Sequence, residues 1–127
     1  MRSRLFISIA LLLLVVAGGM LNARVARGIS DRYVSAAEEL LVLTESGQWQ
    51  RAADTAGAYH ASWEKTLSWL QILINHEDGD SLSRALLMVE SGIRTRDVSL
   101  CVQGCGEMKE AAQHLYHRDA FTLGNVL

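Results

Sequence analysis

Residues Trp49–Ile74 read WQRAADTAGAYHASWEKTLSWLQILI, and the spacing of their apolar positions decides the fold class. Trp49, Ala52/Ala53, Ala56, Tyr59/His60, Trp63, Leu67, Leu70 and Ile74 recur at steps of three and four, so they share one face of a long α-helix. Trp69 is off that line. Six residues beyond Trp63 is about 600° of rotation, which leaves Trp69 about 120° away on another face. Ile72 and His76 fall on the face of Trp69, with Leu73 between the two. A helix with two apolar faces is expected to be covered on two sides, which predicts a central place in a bundle.

Upstream, Ser30-Asp31 offers an N-cap for an earlier helix, in which Tyr33, Ala37 and Leu40 form a line that Ala36, Leu41 and Leu43 widen. Ser46-Gly47 stops it, glycine being suited to the left-handed position after a helix end. Downstream, His76-Glu77-Asp78-Gly79-Asp80-Ser81 is a polar break with turn-forming residues, and Asp80 or Ser81 is expected to cap a third helix. Leu82, Ala85/Leu86, Val89 and Ile93 give that helix its inward face. Thr95-Arg96-Asp97 predicts a turn with Asp97 as the cap of a fourth helix, which carries Leu100/Cys101, Cys105, Met108, Ala111/Ala112 and Leu115. Glu45-Ser46-Gly47 recurs as Glu90-Ser91-Gly92, each read at a helix end, but without matching anchor residues the repeat is best taken as coincidence. The chain has no proline, which suits long unbroken helices. The fold class expected is all-α: an N-terminal transmembrane helix followed by a small antiparallel bundle of four helices.

The N-terminus is a different kind of sequence. Between Arg4 and Arg24 lies an uncharged run, Leu5 to Ala23, of nineteen residues. As a helix it spans about 28 Å, close to the roughly 30 Å of hydrocarbon in a bilayer. Residues 1–27 are read as a membrane anchor with flanking arginines, and residues 28–127 as the domain it carries. Gly28 is the only obvious interruption between them, so the first bundle helix can also continue directly from the anchor. The competing reading is a cleaved signal peptide, with Arg2 and Arg4 as its charged end and Ala17-Gly18-Gly19 as the cleavage site. Arg24, Arg27 and Arg32 weaken the positive-inside asymmetry, yet a short tail with two arginines ordinarily stays in the cytoplasm, leaving the domain outside.

From Gly28 onward there are eight Lys/Arg against fourteen Asp/Glu, a formal charge of −6. An acidic domain repels phosphate backbones, so no nucleic acid partner is expected. The partners expected are the lipid bilayer, through residues 5–23, and a protein of the cell envelope.

Catalytic or metal chemistry finds little support. Cys101 and Cys105 stand at i, i+4, and His114 and His117 at i, i+3, on the same helix. Cys105 and His114 are about 13 Å apart along its axis, so one ion cannot take both pairs while the helix is intact. Gly104 and Gly106 weaken that helix locally, but small core residues are the default reading of the two cysteines. Glu38/Glu39 and Glu77/Asp78/Asp80 are adjacent surface acids, not carboxylates facing each other across a cleft. The acidic loop lacks calcium-loop spacing. No enzyme, cofactor or metal is expected, an envelope hydrolase being the remote alternative. His76 is read as a partner for the C-terminal end of the second helix. Tryptophan at helical spacing is far more often core than a ligand slot.

Trp49, Trp63 and Trp69, the segment Ile72-Leu73-Ile74-Asn75-His76-Glu77, the turn Ile93-Arg94-Thr95-Arg96-Asp97 and the ending Phe121-Thr122-Leu123-Gly124-Asn125-Val126-Leu127 occur in a distinctive order. With the N-terminal segment, this order resembles the bacterial domain-of-unknown-function family 4363. The resemblance implies a single-pass protein of the bacterial cytoplasmic membrane, its N-terminus inside and a helical domain outside, and it favours an anchor over cleavage. It brings no activity, ligand or catalytic residue. The structural or interaction residues expected are Trp49, Trp63, Trp69, His76, Asp97, Phe121, Leu123 and Asn125. The uncharged tail is expected to dock on the bundle. The function expected is a non-enzymatic interaction or scaffold domain. The alternatives are a ligand- or metal-sensing domain built on Trp69/His76 or Cys101/Cys105, and a secreted helical domain after cleavage.

Overall fold

The computed structural model describes residues 1–126 other than 73 and 75, with side chains described as far as residue 115. Four helices account for nearly all of it: α1 (Arg2–Glu45), α2 (Trp49–Leu70), α3 (His76–Thr95) and α4 (Val98–Val126). There is no strand among the described residues. The connections are short, so consecutive helices run antiparallel. α4 packs closely along both α1 and α3, while α2 meets the same two helices more loosely from the opposite corner.

That arrangement corrects the expected central place of α2. The most closely packed helix is α4, and the reason lies in side-chain size. Helix axes approach as far as the residues between them allow. α4 presents Cys101, Gly104, Cys105 and Ala112, all buried. A Cβ added at Gly104 would lie 2.8 Å from Val89 Cγ2 and 3.0 Å from the Val89 backbone nitrogen. One added at Gly92 of α3 would lie 2.7 Å from Cys101 Sγ and 2.9 Å from its backbone nitrogen. Gly104 is therefore the condition for close α3–α4 packing, not a weakness in α4. α2 instead fills its contacts with α1 and α3 with large residues, Trp63 fully buried and Trp49, Tyr59 and Leu67 packed around the core. Its Ala52, Ala56, Trp63 and Leu70 are the buried positions of the predicted stripe.

α1 is a single 44-residue helix, about 66 Å long. No new helix starts at Ser30-Asp31, since Ser30 is a buried residue in the middle of α1. Gly28 costs a helix only about 1 kcal/mol, and Ala26, Ser30, Tyr33, Ala37 and Leu40 continue one buried line past it. The apolar N-terminal segment and the first bundle helix are one element.

The polar run at residues 76–81 is also not a loop. α2 ends at Leu70, and α3 begins at His76 with Glu77 and Asp78 in its first turn, where acidic side chains favour the helix dipole. Gly79 is buried where α3 meets Leu67, with room for a Cβ only if that leucine moves. Asp80 and Ser81 thus lie inside α3 and do not cap it. His76 is at the beginning of α3 and not at the end of α2.

Two helix ends share one geometry. After α1, the Gln48 N–H donates to the Leu43 carbonyl at 2.9 Å and the Gly47 N–H to Thr44 at 3.2 Å, with Gly47 at φ 74°. After α3, the Asp97 N–H donates to Gly92 at 2.8 Å and the Arg96 N–H to Ile93 at 3.1 Å, with Arg96 at φ 53°. Gly92 therefore lies inside α3, and the Glu-Ser-Gly recurrence does not mark two equivalent ends. Asp97 closes one helix and opens the next, its Oδ1 accepting from the Leu100 N–H at 3.1 Å as the sequence predicts.

Candidate functional site

Three of the residues singled out in the sequence, Trp49, Trp63 and Asp97, hold the bundle together. Trp63 is fully buried, stands edge-on to Tyr33 with ring centroids 5.2 Å apart, and donates its indole N–H to Ser83 Oγ at 2.9 Å. A buried tryptophan needs such an acceptor. Ser83 supplies it from α3, a pairing that the separate helix patterns did not reveal. Trp49 packs against the core at the start of α2. Asp97 is the cap already described. The side chains of Phe121, Leu123 and Asn125, and with them the docking of the tail, lie outside the described residues.

Polar contacts tie the outer faces. His60 Nδ1 of α2 pairs with Glu90 Oε1 of α3, and its Nε2 lies 3.3 Å from Glu64. The Tyr59 hydroxyl donates to Glu39 at 2.8 Å, and that hydrogen bond, helped by burial, raises the phenol above its ordinary pKa. Lys109 reaches Glu38 at 3.3 Å between α4 and α1.

Cys101 and Cys105 are free thiols inside the core. Burial pushes Cys105 up to about 12, with the neighbouring Cys101 and Glu45 adding to the effect. Burial likewise raises Cys101, with Asp97 contributing. A thiol held protonated is a poor nucleophile and a poor ligand. Both cysteines serve as the small apolar residues that the α3–α4 and α1–α4 contacts require. Among the described residues, no three His, Cys, Asp or Glu side chains converge on a point that could hold a metal ion.

One end of the bundle is different. Below it, α1 projects as a bare helix with Leu5, Phe6, Leu12, Leu13 and Leu14 all exposed. Among the described residues it is the one helix long and apolar enough to cross a membrane. Cover on α1 begins at Val16 and Gly19 and becomes complete at Ala26 and Ser30. α2 descends beside it, and near its last turn Trp69 lines a notch with Gly18, Leu21, Asn22 and Val25 of α1. Trp69 is still 46% exposed there, and Ile72, in the connection just beyond, is 86% exposed. The other face predicted for α2 thus reduces to Trp69. The helix ends before Ile72 and His76, so those two are not its continuation, although both are exposed at this same end.

Residues 23–126 match the family model described as a domain of unknown function (DUF4363). The chain belongs to the DUF4363 family. No curated protein matches it, and no solved structure does. The DUF4363 match starts at the last residue of the apolar run and covers the whole bundle, so Val25 and Trp69 fall inside it while Gly18, Leu21 and Asn22 lie outside. Both sides of the notch were readable as apolar in the sequence. What no local pattern carried was that α2 comes back down to meet the apolar segment of α1.

Proposed function

We propose that this protein is a non-enzymatic, membrane-anchored scaffold. Residues 5–23 cross the bacterial cytoplasmic membrane, with the N-terminus inside. The bundle stands on the outer surface and binds a protein partner of the cell envelope. The observation that carries this reading is α1 itself. The exposed apolar segment and the buried line from Ala26 to Leu40 belong to one uninterrupted helix. Cleavage at Ala17-Gly18-Gly19 would cut through a helix whose next turns already pack on the domain, which favours retention of the segment.

The test is fractionation of the C-terminally tagged chain, with protease added to intact spheroplasts. A tag that pellets with membranes and is digested from outside is the expected result. Soluble protein that begins just after Ala17-Gly18-Gly19 would replace the anchor with a secreted domain. A tag protected in spheroplasts would reverse the topology. Cross-linking at the outer face then reads the scaffold role, and a bundle that is cross-linked to no envelope protein in intact cells would refute it.

A further inference from the structure

We infer that the membrane-facing end of the bundle is seated in the lipid headgroup layer, with Trp69 and Ile72 in contact with lipid. The inference rests on the anchored reading. It follows from where the bundle begins on α1. The uncharged run is bounded by Arg4 and Arg24, and at about 28 Å it has no length to spare against roughly 30 Å of hydrocarbon. Yet Trp69 shares its notch with Gly18, Leu21 and Asn22, which are inside that run. From Gly18 to Ala23 is about 8 Å of helix rise. Lifting the bundle clear of the headgroups would draw that length of apolar helix into water. Leaving the run in place brings Trp69 to the boundary of the hydrocarbon.

The side chains at that level suit such a seat. Indole combines an apolar body with one N–H, the combination that collects at membrane–water interfaces. Trp69 keeps nearly half its surface uncovered, and Ile72 nearly all of it, at the one place where the bundle meets the exposed segment. Arg24, exposed at the end of the run, is positioned for lipid phosphate. Glu77 and Asp80, exposed in the first turns of α3, set the opposite limit. Two carboxylates do not enter an apolar layer, so the seat is shallow, lies on the α2 side, and does not depend on anionic lipid.

The test uses the full chain reconstituted in phosphatidylcholine vesicles whose lipids carry bromine near the top of the acyl chains. Bromine quenches tryptophan only on close approach. Trp63 is fully buried, and Trp49 lies about 30 Å further along α2. Quenching therefore reports Trp69. The expected result is loss of one tryptophan's share of the emission of three, abolished in Trp69→Phe and regained when Ile72→Trp is added to that variant. Helical circular dichroism and co-flotation with vesicles confirm that each variant is folded and inserted. A chain that co-floats but shows no quenching, or whose quenching survives Trp69→Phe, overturns the seat and leaves the anchor standing. A wild-type chain that does not float with the vesicles overturns the anchor, and the seat with it.

Discussion

Gly104 and Gly106 are two residues apart in α4, and the same substitution at each should move stability in opposite directions. Replacing glycine by alanine inside a helix gains about 1 kcal/mol, because the chain loses less freedom on folding. At Gly106 nothing lies within 4 Å of the new Cβ, so the whole gain is available. At Gly104 the Cβ would meet Val89 Cγ2 at 2.8 Å, the Val89 backbone nitrogen at 3.0 Å and Met88 Cγ at 3.3 Å. Met88 can turn away. A backbone nitrogen in the middle of α3 cannot, so α3 and α4 must move apart. Overpacking of this kind costs about 1–3 kcal/mol, which exceeds the propensity gain. Gly106→Ala is therefore expected to raise stability by about 1 kcal/mol, or about 4–8 °C in Tm for a domain of this size. Gly104→Ala shares that gain but carries the overpacking cost, so it is expected to lower Tm, with the two variants separated by about 1–3 kcal/mol. Urea and thermal denaturation of the detergent-solubilised chain, followed by circular dichroism, give both numbers. Gly104→Ala as stable as Gly106→Ala would refute the close α3–α4 contact.

Other expectations follow from single contacts. Arg96 holds a left-handed φ of 53°, so Arg96→Gly should stabilise the bundle by up to about 1 kcal/mol and Arg96→Val should destabilise it, read by urea midpoint. Asp97→Ala should cost about 1 kcal/mol through loss of the cap on Leu100, with Asp97→Asn nearly neutral by the same assay. Trp63→Phe leaves Ser83 without its donor and the core underfilled. It should cost about 2 kcal/mol or more, while Ser83→Ala costs about 1–3 kcal/mol because the indole N–H stays buried and unpaired. Cys105 in the folded chain ionises near 12, above its ordinary value of 9.0. The unfolded chain therefore loses this proton first, and stability contributed by the thiol is complete below about pH 9 and drains away as pH rises toward 12, by at most about 1.4 kcal/mol per pH unit. A Cys105→Ala variant should flatten that slope in denaturation measured across alkaline pH. The same burial predicts that a thiol reagent at pH 8 labels neither cysteine until denaturant is added.

Periodicity told most where one face of a helix meets one neighbour. Ala52, Ala56, Trp63 and Leu70 are buried as their spacing requires, and so are Leu82, Leu86, Val89 and Ile93. Asp97 was legible because a cap is a local hydrogen bond between a side chain and a backbone N–H three residues on. Failure came where a residue had two possible meanings. Gly79 suits a turn, but it also suits a helix pressed against Leu67, and only the neighbour decides. Glu77 and Asp78 favour a loop by polarity and a helix start by charge, and the dipole of α3 took them. The place of α4 was hidden for a related reason. Small residues look like weak core in a sequence, yet they set how near two axes come, so Gly92, Gly104, Cys101 and Cys105 outrank the tryptophans in fixing the arrangement. The notch at Trp69 joins residues about fifty positions apart. Nothing local to either partner announces it.

On the anchored reading, α1, unbroken between Phe6 and Leu40, would act as a lever with its fulcrum at the membrane surface. From Ala23 to Glu45 the arm is about 33 Å long. In a bilayer thinner than its apolar run such a helix tilts, and a tilt of about 20° sweeps the far end of this arm sideways by about 11 Å. A partner gripping the bundle near Gly47 and Asp97 would feel a change of membrane thickness as a displacement several times larger than the change itself.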